Sequence, residues 1–176
     1  MATNRLRASV PFAACLVALA LMTACTSASR TTVAMHKSQS IPREASASLN
    51  VVSVAGTPYG HQFEIEQLIR ADLSRRLVDS GVFRSVSGRS DESDYHIDLR
   101  IEKVRITSPG ARIMFGSMAG RSYIQVRVEV RDTISDRLIS SFQTTGYGAR
   151  TMIGAQSYGY DDPVREVVAD VVRNLH

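Results

Sequence analysis

The sequence predicts an α+β domain: a two-layer sandwich in which two helices cover one face of a mainly antiparallel sheet of about four to five strands. Two segments, 62–80 and 162–175, repeat apolar residues at the spacing of a helix. In several segments between them, apolar and polar residues alternate with a period of two, as in strands with one buried face. The predicted order of elements is therefore β-α-β-β-β-β-α.

Residue type and spacing predict the first strand and the first helix. Residues 49–55 are rich in β-branched side chains, and the glycines and proline of 56–60 end the strand. The helix predicted over 62–80 is followed by Gly81, at the position of a C-terminal cap. Its apolar stripe consists of Ile65, Leu68, Ile69, Leu73 and Leu77.

Two further strands are predicted before the centre of the chain. Residues 82–86 form a short strand, and a polar loop separates it from a longer strand that begins at Tyr95. Within that longer strand the apolar residues move from odd to even positions near Glu102 and Lys103. Such a change of phase predicts a β-bulge there.

A hairpin and a closing helix complete the predicted domain. Residues 123–131 alternate strictly, 132–136 form a turn, and 137–145 return as the partner strand. In the last helix, Asp162 is predicted as the N-cap and Pro163 as the first helical residue. Because this helix is rich in valine, which has low helix propensity, we expect tertiary packing to hold it.

The amino-terminal segment has the anatomy of an export signal. Arg5 and Arg7 precede an apolar core over 10–22, and small residues follow it. The core is shorter than the ~20 residues that a membrane-spanning helix needs. We therefore predict a signal peptide over residues 1–24.

The end of this signal resembles the lipobox of bacterial lipoproteins. Met22, Thr23 and Ala24 stand directly before Cys25. The resemblance implies that the Cys25 thiol receives a diacylglyceryl group and that the new amino terminus is acylated, for example with palmitate. The residue after the cysteine is Thr26 and not aspartate. In this respect the sequence resembles lipoproteins that are exported to the outer membrane and face the periplasm. A cleaved soluble periplasmic protein and an uncleaved anchor are the alternatives.

The remaining chain predicts one tethered domain. Residues 25–48 are rich in serine, threonine and alanine and are expected to be a flexible tether, followed by a single periplasmic domain over 49–176. The second cysteine, Cys15, lies in the signal, so no intrachain disulfide is predicted. The formal net charge is +4, but the arginines are scattered among acids, and we predict no nucleic-acid partner.

Candidate catalytic groups are sparse, and we predict no enzyme, metal or cofactor. His96 lies between Asp94 and Asp98 in sequence, which fits either a two-carboxylate, one-imidazole surface site or an ordinary wet sheet face, and we favour the second. Asp91 and its neighbours lack the oxygen spacing of a calcium loop. An envelope polymer hydrolase, acting on cell wall or glycan, is the catalytic alternative.

Two loops are predicted as contact surfaces because they combine apolar or aromatic residues with glycine. Local packing is the alternative for both. The Gly116 and Gly120 spacing does not indicate a membrane helix pair, since arginines flank the short run. The candidate contact residues are Arg112, Ile113, Met114, Phe115, Gly116, Met118, Gly120, Tyr147, Tyr158 and Tyr160.

The segment 111–122, with the strand, Asp132 and return strand that follow, resembles an uncharacterised bacterial lipoprotein family of the domain-of-unknown-function series. Its members carry Arg-x-x-x-Gly-x-x-x-Gly-x-Ser before a strand that ends in Asp-x-x-x-Gly; here Asp136 stands where the family often has glycine. The element order is also similar to that of the TolB amino-terminal domain and of envelope lipoproteins such as CsgG and LpoB.

Those proteins bind other proteins or build pores, so the resemblance implies interaction rather than chemistry. We predict a membrane-anchored envelope lipoprotein that acts as a non-catalytic interaction or assembly module. Its expected partners are the membrane, through the lipid on Cys25, and envelope proteins or its own copies. A hydrolase or a diffusible periplasmic binding protein is the alternative.

Overall fold

Six strands form one mixed sheet in the described part of the chain. The computed structural model describes residues 29–37, 40–53, 61–88, 92–115, 120–148 and 159–176. In chain order the elements are β1 (Ser29–Lys37), β2 (Ser46–Ser53), α1 (Gln62–Asp79), β3 (Ser85–Ser87), β4 (Tyr95–Arg105), α2 (Pro109–Phe115), β5 (Tyr123–Asp132), β6 (Leu138–Tyr147) and α3 (Asp161–Leu175).

The strand order is β1-β6-β5-β4-β2-β3. The pairs β1 with β6, β6 with β5, and β5 with β4 are antiparallel, whereas β2 pairs in parallel with both β3 and β4. The parallel pair β2 and β3 is joined through α1, as a parallel connection requires a crossover. The predicted α+β sandwich is confirmed, with a sheet wider than the four to five strands expected.

The hydrophobic core lies between one face of the sheet and the long helices α1 and α3. Both helices turn buried stripes toward the sheet, and α1 and α3 also contact each other. Alternate residues of β4 and β5 complete the core. Leu68, predicted within the α1 stripe, is instead 41% exposed. The buried helix residues include Ile65, Ile69, Leu73 and Leu77 in α1 and Val164, Val167, Val168 and Val171 in α3.

Three local predictions are confirmed. The register between β4 and β5 shifts between Ile101 and Lys103, so the bulge lies where the apolar phase changes. Gly81 adopts a positive φ of 71° directly after the C-cap of α1. In the hairpin turn, Asp132 Oδ1 accepts the backbone N–H groups of Ile134 and Ser135. Asp136 has φ 52°, a left-handed conformation that explains why the resembling family often has glycine here.

The flexible tether predicted over 25–48 is wrong for two of its segments. Ser29–Lys37 is the edge strand β1, and β2 already begins at Ser46. The pairing of β1 runs from Ser29 opposite Gly146 to Lys37 opposite Ser140. Backbone hydrogen bonds to β6 therefore stabilise this strand. Its sequence lacks the apolar alternation from which a strand could be predicted. Residues 1–28, with the predicted signal and Cys25, lie outside the described residues.

Three element boundaries also differ from the prediction. β3 is Ser85–Ser87, since Val82 and Phe83 are buried in the core before the strand begins. Part of the predicted loop before β5 forms the short helix α2. Asp162 is not the N-cap of α3: the helix begins one residue earlier, and the Asp162 carboxylate instead accepts a hydrogen bond from Arg165 at 2.9 Å.

Candidate functional site

The ends of several strands and helices meet at one end of the sheet. Ser29 of β1 pairs with Gly146 of β6, Gly146 pairs with Ile124 of β5, and Ile124 pairs with Val104 of β4. We call this end of the sheet, marked by these four residues, the Ser29 end. The helix α2 follows β4 after three residues, so it lies at the same end.

The first turns of α1 and α3 also lie at the Ser29 end. Ser53, the last residue of β2, donates its backbone N–H to Glu66 of α1 at 2.8 Å. Ser53 pairs with Ile101 near the end of β4, so α1 begins where β4 ends. At the start of α3, the Pro163 carbonyl lies directly against Gly146. The Ser29 end therefore brings together parts of the chain that are far apart in sequence.

Three large apolar side chains at this end, among those the structure describes, have most of their surface exposed. Phe63 in the first turn of α1 is 71% exposed, and Met114 and Phe115 at the end of α2 are 79% and 61% exposed. Ile134, 96% exposed, lies at the opposite end of the sheet in the β5–β6 turn. Exposed apolar groups that gather in one region mark contact sites more often than scattered ones do.

An aromatic and cationic cluster lies at the same end of the sheet. The rings of Tyr123 and Tyr147 are 6.1 Å apart, and the Arg121 guanidinium carbon lies 5.6 Å from the centre of the Tyr147 ring. The Arg105 guanidinium approaches Gly120, whose φ of 79° lets the chain turn into β5. This arrangement allows a cation–π contact at the Ser29 end of the sheet.

Backbone contacts fasten the segments that carry the cluster. The Ser122 hydroxyl accepts the backbone N–H of Thr107 at 3.0 Å, and the Ser122 carbonyl accepts the backbone N–H of Gly148 at 2.9 Å. These bonds join the segment before α2, the start of β5 and the end of β6. The Ser29 end is thus a connected surface rather than a set of independent loops.

Tyr160 has a structural partner. Its hydroxyl donates to Glu64 Oε2 at 2.8 Å, and His61 Nδ1 lies 2.9 Å from the same oxygen. The hydrogen bond from Tyr160, followed by that from His61, lowers the pKa of the Glu64 carboxyl, and the same bond raises the pKa of the Tyr160 hydroxyl. Tyr160 therefore joins the starts of α1 and α3.

The structure brings some predicted contact residues together and leaves others undescribed. Met114 and Phe115 are exposed, and Gly120 and Tyr147 lie in the adjoining cluster. Arg112 and Ile113 belong to α2, but their side chains lie outside what the structure describes. Cys25, Gly116, Met118 and Tyr158 lie outside the described residues.

Sequence reasoning missed four residues of this surface: Phe63, Arg105, Arg121 and Tyr123. Phe63 lies outside the buried stripe of α1. An aromatic residue at a helix position that the spacing predicts to be exposed was the sequence feature that could have identified it. Arg105 and Arg121 carried no signal, because strand register and a turn bring them to the site.

The open face of the sheet carries a second polar arrangement. Ser48 Oγ lies 2.7 Å from His96 Nδ1, and His96 Nε2 lies 3.4 Å from Asp98 Oδ1, which also accepts from Asn50. A serine nucleophile needs an accessible hydroxyl as well as a base. Ser48 is only 2% exposed, so this chain of contacts serves as a cross-strand network.

The predicted alternative of two carboxylates around His96 is wrong. Asp94 Oδ2 instead accepts the backbone N–H and the hydroxyl of Ser46, at 2.7 and 2.8 Å. These bonds lower the pKa of the Asp94 carboxyl, the backbone bond contributing most. Within the described ranges, no group of three or more His, Cys, Asp or Glu side chains is placed to hold a metal ion.

Other charged groups of the open face also pair with neighbouring side chains. Glu102 accepts from Arg127 at 2.7 Å and also from Gln143. Within β5, Arg131 donates to Glu129, two residues earlier in the same strand, at 3.2 Å. Such pairs keep a sheet face wet and polar without providing a reactive group.

Low-identity likenesses to solved structures accompany this fold. PelC from Paraburkholderia phytofirmans is 13% identical, with 85% of this chain and 95% of that chain covered and a TM-score of 0.49. Protein XCC0632 from Xanthomonas campestris is 15% identical, with 85% and 90% covered and a TM-score of 0.48. Hypothetical protein CT253 from Chlamydia trachomatis is 13% identical, with 75% and 93% covered and a TM-score of 0.43. No curated protein matches the chain.

Two findings complete the comparison. Among the helices that the structure describes, none is both long and apolar enough to span a bilayer. The model of a family described as a domain of unknown function, DUF4410, matches residues 27–155. The prediction of an uncharacterised domain family is therefore confirmed, and because the match covers well over half of the sequence, the chain belongs to the DUF4410 family.

Proposed function

We propose that this protein is a lipid-anchored protein of the bacterial envelope, and that its domain acts by contact with other envelope components, its own copies among them, rather than by catalysis. The observation that carries the proposal is the gathering of Phe63, Met114 and Phe115, all exposed, at one end of the sheet. The contact surface is the Ser29 end.

The anchor in this proposal is supported by the sequence before the domain. A basic start and a short apolar core lead to Ala24 and Cys25, the pattern of a lipoprotein signal. Several acyl chains on one cysteine would hold the protein firmly, since each buried CH₂ contributes about 0.8 kcal/mol and one chain alone binds only marginally. Thr26 supports the outer membrane as the site of the anchor.

The contact role is supported by the cost of leaving large apolar side chains in water. Burying a Phe or Met side chain that is otherwise exposed contributes about 1.5–3 kcal/mol. The exposed positions come from two separate helices, α1 and α2, which a partner could cover together. The open face supports the same reading, because the hydroxyl of Ser48 is buried and its neighbouring charges pair with each other.

The first test is the intact mass of protein purified from membranes, beside a Cys25→Ser variant. We expect a mature chain that starts at Cys25 and carries acyl chains, and we expect the substitution to abolish them. An unmodified chain in the soluble periplasmic extract would instead indicate a diffusible protein and would contradict the anchor.

The second test addresses the contact surface. A photoreactive amino acid placed at Met114 is expected to form adducts in intact membranes, because this side chain is 79% exposed at the Ser29 end. Ile134 is the matched control: it is also apolar and even more exposed, but it lies at the opposite end of the sheet. Equal adduct yields at the two positions would refute a contact role for the Ser29 end.

A further inference from the structure

We infer that the partner of the Ser29 end is the bilayer itself: the domain stands on the membrane that holds its anchor, and Phe63, Met114 and Phe115 insert into the interfacial layer. This inference rests on the proposed lipid anchor and names the partner of the same surface. It is carried by the place where the folded chain begins and by the distribution of exposed apolar side chains.

The path from the anchor to the fold is short. β1 begins at Ser29, four residues after Cys25. Four residues span at most about 14 Å even when fully extended. A lipidated Cys25 would therefore hold the Ser29 end within about 14 Å of the bilayer surface. A flexible tether over the whole of 25–48 would allow a much larger distance between the domain and the bilayer.

The opposite end of the sheet is far from this attachment. β5 runs from Tyr123 at the Ser29 end to Asp132 at the hairpin turn. At a rise of about 3.4 Å per residue, the turn lies about 30 Å from the Ser29 end along the strand. With the attachment point at one end, the anchor favours an orientation in which the Ser29 end meets the bilayer first.

Exposed apolar side chains favour the same orientation. Phe63 projects from the first turn of α1, and Met114 and Phe115 end α2, so two elements present apolar groups at the attached end. Peripheral proteins bury such groups about 5–10 Å deep at the boundary between headgroups and acyl chains. Tyr123 and Tyr147, which also lie at the Ser29 end, are amphipathic side chains of the kind enriched at that depth.

Charge contributes little to the proposed contact. Arg105 and Arg121 lie at the Ser29 end, but so do the acidic residues Glu64, Asp161 and Asp162 at the starts of α1 and α3. A mixed-charge rim of this kind is not selective for anionic lipid. The insertion of apolar side chains should therefore persist in zwitterionic vesicles and at high salt.

The test uses the full-length lipoprotein, expressed with its acyl chains and reconstituted into phosphatidylcholine vesicles with brominated acyl chains. One fluorophore is attached in turn to Phe63→Cys, Phe115→Cys and the control Ile134→Cys. The acylated Cys25 has no free thiol, so each label occupies a single position. All three native side chains are exposed, so the substitutions remove no core packing.

We expect the brominated lipid to quench the labels at positions 63 and 115 on the order of twofold or more above position 134, with little change at high salt. Equal quenching at the three positions, with acylation confirmed by intact mass, would overturn the inference and leave the anchor standing. A photoreactive amino acid at position 114 that formed adducts with protein instead of lipid would also overturn the inference. An unacylated Cys25 would contradict the proposed function and, with it, the short attachment on which the inference depends.

Discussion

Replacing Gly146 with alanine tests how closely α3 approaches the sheet. A Cβ built on Gly146 would lie 2.2 Å from the Pro163 carbonyl oxygen and 2.8 Å from the Val167 backbone nitrogen. The carbonyl would have to retreat to at least 3.0 Å, a shift of about 0.8 Å. The obstacle is helix backbone, so a side-chain rotation cannot relieve it.

The structure sets the expected size of this effect. Overpacking of a core typically costs about 1–3 kcal/mol, and a backbone clash belongs at the upper end of that range. The lost flexibility of the unfolded chain opposes the effect by about 0.4–1 kcal/mol. We therefore expect Gly146→Ala to lower the free energy of unfolding by about 2 kcal/mol.

Urea unfolding followed by far-ultraviolet circular dichroism measures this difference. Gly88→Ala is the matched control, because a Cβ there meets nothing within 4 Å, and it should change stability by less than about 0.5 kcal/mol. A Gly146→Ala variant as stable as Gly88→Ala would refute the close approach of α3 to β6.

Two further predictions concern buried and exposed carboxylates. Asp170→Ala should lower the free energy of unfolding, measured by urea unfolding, by about 1–3 kcal/mol, because the buried Thr144 hydroxyl, 2.5 Å away, loses its acceptor. Asp79→Ala, at an exposed position, is the control, and equal effects of the two substitutions would contradict this role of Asp170. The bonds from Ser46 depress the folded-state pKa of Asp94, so its stabilising contribution is present above its unfolded pKa and is lost as pH falls through the folded pKa. Wild type should therefore exceed Asp94→Asn in urea midpoint at neutral pH, and the gap should narrow between about pH 5 and about pH 3; a constant gap would contradict the assignment.

The agreement between sequence and structure is best where burial follows a local period. The stripe of α1 and the alternation of β5 each repeat over many residues, so one buried face can be predicted without knowing its partner. The bulge near Lys103 was predictable for the same reason, since it changes the phase of an otherwise regular pattern. Gly81 and the Asp132 turn carried local conformational signals.

The predictions that failed concern segments whose structure depends on contacts with a distant part of the chain. β1 has no apolar pattern of its own and exists as a strand because β6 offers it a row of backbone partners. Tyr160, and not Asp162, precedes α3, and its hydroxyl reaches across to Glu64. Neither contact can be read from residues within a few positions of the segment concerned.

The sequence likewise predicts one part of the candidate site and not the rest. The apolar, glycine-bearing composition of the loop marked Met114 and Phe115 as contact residues, and the resemblance to a lipobox marked Cys25 as the predicted lipidation position. The sequence by itself determined the fold class, the buried faces and the bulge, because periodic burial is a local property. The tertiary structure alone decided that Phe63 joins Met114 and Phe115 at the end where β1 begins, because the order and direction of the strands determine which ends of distant elements meet.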